Sequence, residues 1–153
     1  MYRKYVILYT IILLALAGCS RYKEISLQHI VIDRFNMTGL STAKVKVLAT
    51  LNNPAGSKIK LTELNGIIKI KDKPIAVFHL DSTLVFDAKS LSEKEGTMHL
   101  KIQDMSVLFS GIIEWDETLL DQLQLDIDAL VKSRGIKRKL HWNNVPVKDF
   151  LKL

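Results

Sequence analysis

Residues 43–52, "AKVKVLATLN", alternate strictly: Val45, Val47, Ala49 and Leu51 fall on one side, Lys44, Lys46, Leu48 and Thr50 on the other. Only an extended strand with one buried and one wetter face uses a period of two. The pattern recurs in "SKIKLTELNGIIKIKD" (57–72), in "TMHLKIQ" (97–103) and in "LQLDIDALVKSRGIKRKLHW" (123–142). "ISLQHIVIDRF" (25–35), "IAVFHL" (75–80), "STLVFD" (82–87) and "SVLFSGII" (106–113) are short runs of the same character. A chain built from such runs must stack sheets, because a single sheet leaves its apolar face wet.

The connections follow from turn chemistry. "KDKP" (71–74) is a turn, "LSEKEGT" (91–97) reads as a polar loop, and Ser133-Arg134-Gly135 closes a hairpin over 123–142. Within that hairpin Leu125, Ile127, Ala129 and Val131 face Ile136, Leu140 and Trp142. Asp126 and Asp128 lie on the outer face against Lys137, Lys139 and His141, and Arg138 falls on the apolar side. The apolar phase of 57–72 runs through Ile59 and Leu61 and returns at Leu64, Ile68 and Ile70. That odd-to-even shift around Asn65-Gly66 fits a tight hairpin or one long strand with a bulge. "DETLLDQL" (116–123) has helical spacing with Asp116 as N-cap, and 145–153 is a last strand or a helical turn. The expected fold is an all-β, antiparallel two-layer sandwich of immunoglobulin or fibronectin-III type, with about seven strands and one short helix.

The other constraint lies at the start. Arg3 and Lys4 precede a run, 5–17, in which Thr10 is the polar side chain without an aromatic ring. Those 13 residues are shorter than the roughly 20 that span a bilayer, and Arg21 and Lys23 close them off. Cationic start, apolar middle and small residues describe a secretory leader. Leu16-Ala17-Gly18-Cys19 resembles the lipobox of bacterial lipoproteins, whose cysteine receives a diacylglyceryl thioether before the leader is removed. Cys19 is the single cysteine, so no disulfide framework exists, and lipidation removes a reactive thiol. The expected organisation is a leader over 1–18, a lipidated tether over 19–25 and a sandwich domain over 26–153. Loss of Arg3 and Lys4 turns 22 basic against 16 acidic residues into 20 against 16, or +4. That mild charge, with export, argues against nucleic acid as a partner.

The stretch from Val45 to Ile102 resembles the late embryogenesis abundant type 2 family, also called the water-stress and hypersensitive-response domain. Leu51, Asn53, Pro54, Ile59, Leu61, Ile68 and Ile70 carry the resemblance, and "LDIDALVKSRGIKRKLHW" is similar to the family's closing hairpin. Asn53-Pro54 has a structural meaning. Proline lacks the N–H, so the ladder stops, and the asparagine amide can satisfy loop backbone groups. Ala55-Gly56 departs from the family, which often has a further asparagine there. The resemblance implies a fibronectin-like sandwich and one bulged strand over 58–72. It implies no activity.

No catalytic residues and no cofactor are indicated. The chain has no Gly-x-Ser-x-Gly elbow and no phosphate-cradling glycine loop. None of His29, His79, His99 and His141 stands beside a second histidine or a cysteine at metal-ligand spacing, and each, alternating with apolar neighbours in a strand, reads as a solvent-facing or edge residue. Asp126 and Asp128 read as an ion-pair face, and Trp115 and Trp142 as core or rim residues. Lys132, Arg134, Lys137, Arg138 and Lys139 form a candidate partner-binding patch. The expected protein is a non-enzymatic envelope lipoprotein. It would be anchored through Cys19, with the domain facing the periplasm from the outer membrane, and would hold a protein client or dock an envelope partner.

Overall fold

The computed structural model describes residues 25–106 and 121–150. Eight strands run in order: β1 (Ser26–Met37), β2 (Thr42–Asn53), β3 (Ile59–Ile70), β4 (Lys73–Leu80), β5 (Leu84–Phe86), β6 (Ser90–Ile102), β7 (Leu123–Ser133) and β8 (Ile136–Pro146). One short helix, α1 (Val147–Phe150), follows, so the described part of the tail is the end of β8 and a helical turn rather than a further strand. The domain is an all-β antiparallel sandwich. Its ladder is continuous in the order β1-β2-β6-β4-β3-β7-β8, with β5 added to β3. β4 pairs β6 on one side and β3 on the other, so it joins the two halves.

Two apolar clusters fill the interior. Ala49, Leu51 and Ile30 from the β1–β2 half pack on Ile59, Leu61, Leu84, Phe86 and Val131 from the other. At the opposite end Ile75 and Ala76 meet Ile68, Ile70, Leu100, Leu123, Leu125 and Val147. The alternation read in β2 holds: Val45, Val47 and Ala49 are buried while Lys44 is exposed.

The segment 57–72 is one bulged strand. The register against β7 slips between Leu61 and Glu63, and the Thr62 hydroxyl donates to the Leu130 carbonyl, 3.0 Å, beside the slip. This bulge, and no turn at Asn65-Gly66, moves the apolar phase from odd to even. Gly66 lies in mid-strand opposite Phe78, and a Cβ there would stand 2.2 Å from the Phe78 ring. The glycine therefore admits a crossing aromatic side chain. The real β3–β4 turn is Lys71-Asp72, both with positive φ (48° and 65°), the backbone of a two-residue hairpin turn.

The segment 91–97 is part of β6, not a polar loop. It is poor in β-formers, but β2 pairs it at every position from Ser90 to Lys101. The Lys46 ammonium sits 2.8 Å from the Glu95 carboxylate across that ladder. The helix expected over 116–123 falls largely outside the described residues, within which Asp121 and Gln122 are helical. No helix among the described residues is long and apolar enough to cross a membrane.

Candidate functional site

Leu16, Ala17, Gly18 and Cys19 lie outside the described residues, as does Trp115. Asn53 is the last residue of β2, at the corner before Pro54. Asn53 is 0% exposed, its Nδ2 donates to the Ser57 and Asp87 carbonyls at 2.9 Å each, and its Oδ1 accepts from the Ala55 N–H at 3.1 Å. The side chain thereby ties the β2–β3 loop to the β5–β6 connection.

The basic hairpin reaches the same end of the sandwich. Arg134 and Gly135 form its turn with φ of 49° and 78°. The Ser133 hydroxyl lies 2.9 Å from that of Ser57 and donates to the Lys58 carbonyl at 3.1 Å. Lys132 stands directly opposite Lys137, Leu130 opposite Lys139 and Val131 opposite Arg138. Lys132, Lys137 and Lys139 therefore share the outer face, while Arg138 takes the other face of the edge strand and is exposed. The five cations do not make one surface; they wrap a turn and both sides of β8. Trp142, 42% exposed, sits on the rim.

The outer face carries a feature that linear spacing did not reveal. Six rungs align seven polar side chains across seven strands. Asn36 pairs Lys44, Lys44 pairs His99, and His99 pairs His79. His79 pairs Asn65, Asn65 pairs Asp128, and Asp128 pairs His141. Directly opposed residues point to the same side, so these form a continuous polar row.

Two imidazole–carboxylate groups lie on this row. At the β7–β8 edge His141 Nδ1 is 2.5 Å from Asp128 Oδ1. That carboxylate raises the His141 pKa above its ordinary value. Neighbouring Asp126 goes to Lys69 of β3, 2.7 Å, and accepts from the Asn144 N–H at 2.9 Å; both hold its carboxyl below the ordinary range, the lysine most. Of the partners expected on this face, Lys137, Lys139 and His141, Asp128 meets His141, while Asp126 pairs with Lys69 of β3 rather than with Lys137 or Lys139.

At the β4–β6 seam the grouping is larger. His79 and His99 are cross-strand partners whose rings stack at 5.4 Å between centroids and 17° between planes. Asp81 lies two residues beyond His79, on the same face by the strand period. Its N–H donates to the Thr97 carbonyl, 2.9 Å, which holds it against β6. Its carboxylate hydrogen-bonds His99 Nδ1 and lies 3.8 Å from His79 Nε2. The signal in sequence was a histidine on the outer phase of two alternating strands, with an aspartate at i+2 of one. Which strands pair, and in what register, is not local information.

Between β3, β7 and β8 the outer face has a shallow depression of about 160 Å³, lined by Glu63, Asn65, Asp128, Leu130 and Lys139 among others. Clefts for small organic ligands begin near 300 Å³.

No family model matches the chain, and no curated protein matches it. A protein from Archaeoglobus fulgidus, solved by crystallography, is similar with a TM-score of 0.48 at 12% identity, covering 77% of this chain and 97% of that one.

Proposed function

We propose that this protein is a non-enzymatic envelope lipoprotein, anchored through lipid on Cys19, with a sandwich of the late embryogenesis abundant type 2 kind. It works by binding or protecting other molecules under stress. The observation that carries the reading is the lone Cys19 behind Leu16-Ala17-Gly18 at the end of an apolar run. Buried acyl methylenes contribute about 0.8 kcal/mol each, and two or more chains hold a protein stably at a bilayer.

The fold is compatible with such an anchor. From Cys19 to Ser26 is 26 − 19, or seven, residues, a reach of at most about 25 Å. Ser26 pairs Asn52, so β1 begins beside the Asn53 corner and the Arg134 turn. Lys58, Lys89, Lys132, Arg134 and Lys137 belong to this end, with Asp87 between Lys58 and Lys94 at 3.3 and 3.4 Å. At the far end, among the described residues, Lys73 and Lys148 have acidic partners in Asp104 and Asp121. A tethered domain with its cationic end toward anionic head groups gains electrostatic attraction at the surface.

The test is a fatty-acid label fed to cells expressing the full chain. Wild type takes up the label, begins at Cys19 and fractionates with membranes; Cys19→Ala does none of these. An unmodified chain that retains Met1 overturns the anchor. For the protective role, the full chain should preserve a labile enzyme through drying better than an equal mass of albumin.

A second reading, an accessory subunit of an envelope assembly, is favoured by the edge strand β1. It exposes Leu27, Ile32, Phe35 and Met37, with Phe35 at 54%. Exposed apolar side chains on an edge with no second partner strand among the described residues are a template for association. Recovery of a stoichiometric partner from detergent-solubilised membranes, lost when Phe35 is replaced by Lys, distinguishes it.

A further inference from the structure

His79 and Asp81 on one strand and His99 on the next bring three donor groups to a single point on the outer face. Their ligating atoms all lie within 4.8 Å of one another. The Asp128–His141 pair on the same row shows what a simple imidazole–carboxylate contact needs, which is one ring per carboxylate. At the seam a second ring lies over the first, and its Nε2 is 3.8 Å from the same carboxylate oxygen. That separation is too long for a hydrogen bond. It is close to the roughly 3.3 Å between two donors that share a tetrahedral ion through bonds of about 2.0–2.1 Å. The His79 side chain is 60% exposed, and those of His99 and Asp81 are 36% and 28% exposed. These exposed side chains can therefore adjust, His79 closing and the His99–Asp81 contact opening, to bring donors now within 4.8 Å to that separation without displacing a core atom.

We propose that His79, Asp81 and His99 form a three-ligand site for a zinc-class divalent ion. Two imidazole nitrogens and one carboxylate oxygen suit the borderline first-row ions; calcium and magnesium prefer shells of oxygen. Three protein ligands leave a coordination position open to water or to an external donor. The hydrogen bond between His99 Nδ1 and Asp81 is exchanged for bonds from both groups to the ion. The ion bonds β4 to β6, and β4 is the strand that joins the two halves of the sheet. Only the folded register assembles the three donors, so the ion stabilises the folded chain by mass action. The site is independent of the lipid anchor.

The experiment uses the full chain in detergent, stripped with a chelator and dialysed. Titration with Zn²⁺ followed by calorimetry should give one ion per chain, and the melting temperature should rise with the logarithm of free Zn²⁺. Co²⁺ in its place should give visible ligand-field absorption. His79→Ala and His99→Ala should each weaken binding by about tenfold or more. Asp81→Glu should retain the cobalt spectrum better than Asp81→Ala, and His141→Ala should leave all three readouts unchanged. Should a histidine variant fail to fold, acylation of wild-type histidines supplies the same answer: Zn²⁺ should protect His79 and His99, and leave His29 and His141 reactive. Absence of Zn²⁺ binding to wild type, or equal binding by the His79→Ala/His99→Ala double variant, overturns the site. So does equal Zn²⁺ protection of all four histidines.

Discussion

The β4–β6 seam and the β7–β8 hairpin each bring aspartate and histidine together on the same polar row, yet the two arrangements have different origins. In the hairpin, Asp128 and His141 meet because the two-residue turn at Arg134-Gly135 fixes the register of strands adjacent in sequence. At the seam, His79 and His99 meet across a loop, a short strand and most of β6. Nothing near either residue dictates it. The interior does: Leu80, paired with Met98, approaches Gly96 together with Leu84, and Phe78 crosses Gly66. A local turn yields an ion pair; a packed seam yields a convergent donor set.

The largest break in that contrast is steric. Gly66→Val forces a side chain into the Phe78 ring and to 2.9 Å from the Asp126 carbonyl. Overpacking of this kind costs about 2–3 kcal/mol, read as a fall in the urea midpoint. Because β3 pairs both β4 and β7, both groups on the row should be disturbed, in histidine NMR signals of the seam and of the hairpin alike. A response confined to one of them would show that β3 does not connect them.

Gly135→Ala should act on the hairpin only. No atom lies within 4 Å of the added methyl, so the cost is the left-handed backbone at φ 78°, about 1–2 kcal/mol for a residue with a Cβ. The His141 resonance should move while those of His79 and His99 stay. Movement of all three would sink the distinction between a turn-built and a packing-built cluster.

The hairpin pair also sets a pH dependence. Asp128 raises the folded pKa of His141 above the ordinary 6.5. Its contribution is therefore present in full below about pH 6.5 and is lost as pH rises through the folded value. Asp126, lowered by Lys69, contributes above about its ordinary 3.8 and loses that as pH falls through its folded value. Melting temperatures of wild type and Asp128→Asn should differ at pH 5.5 and converge at pH 9. The group is exposed, so the difference is small and shrinks further in salt.

Smallest of all, Lys137→Gln removes a like charge directly opposite Lys132. It should stabilise the hairpin by about 0.3 kcal/mol or less, an increment that salt should erase.

Much of the fold is legible in local pattern. Alternation in β2 places Val45, Val47 and Ala49 inward, Pro54 ends the strand, and Asn53 has a side chain suited to a loop. The Glu93–Glu95 stretch of β6 misleads because its strand character comes from β2, not from its own residues. The bulge at Thr62 and the crossing of Phe78 over Gly66 turn what resembles a hairpin signal at Asn65-Gly66 into mid-strand geometry. Of the site, the sequence supplies a histidine on the outer phase of β4 and of β6, and Asp81 two residues past the first.

By itself, then, the sequence determined most of the strands and their inward faces, the turn at Arg134-Gly135 and the sulfur at Cys19, since each depends on neighbours a few residues apart. Tertiary structure decided that β4 lies between β6 and β3 and that His79 opposes His99. Those outcomes depend on how two distant apolar faces pack, and a shift of one residue in register would have sent the same three donors to different places.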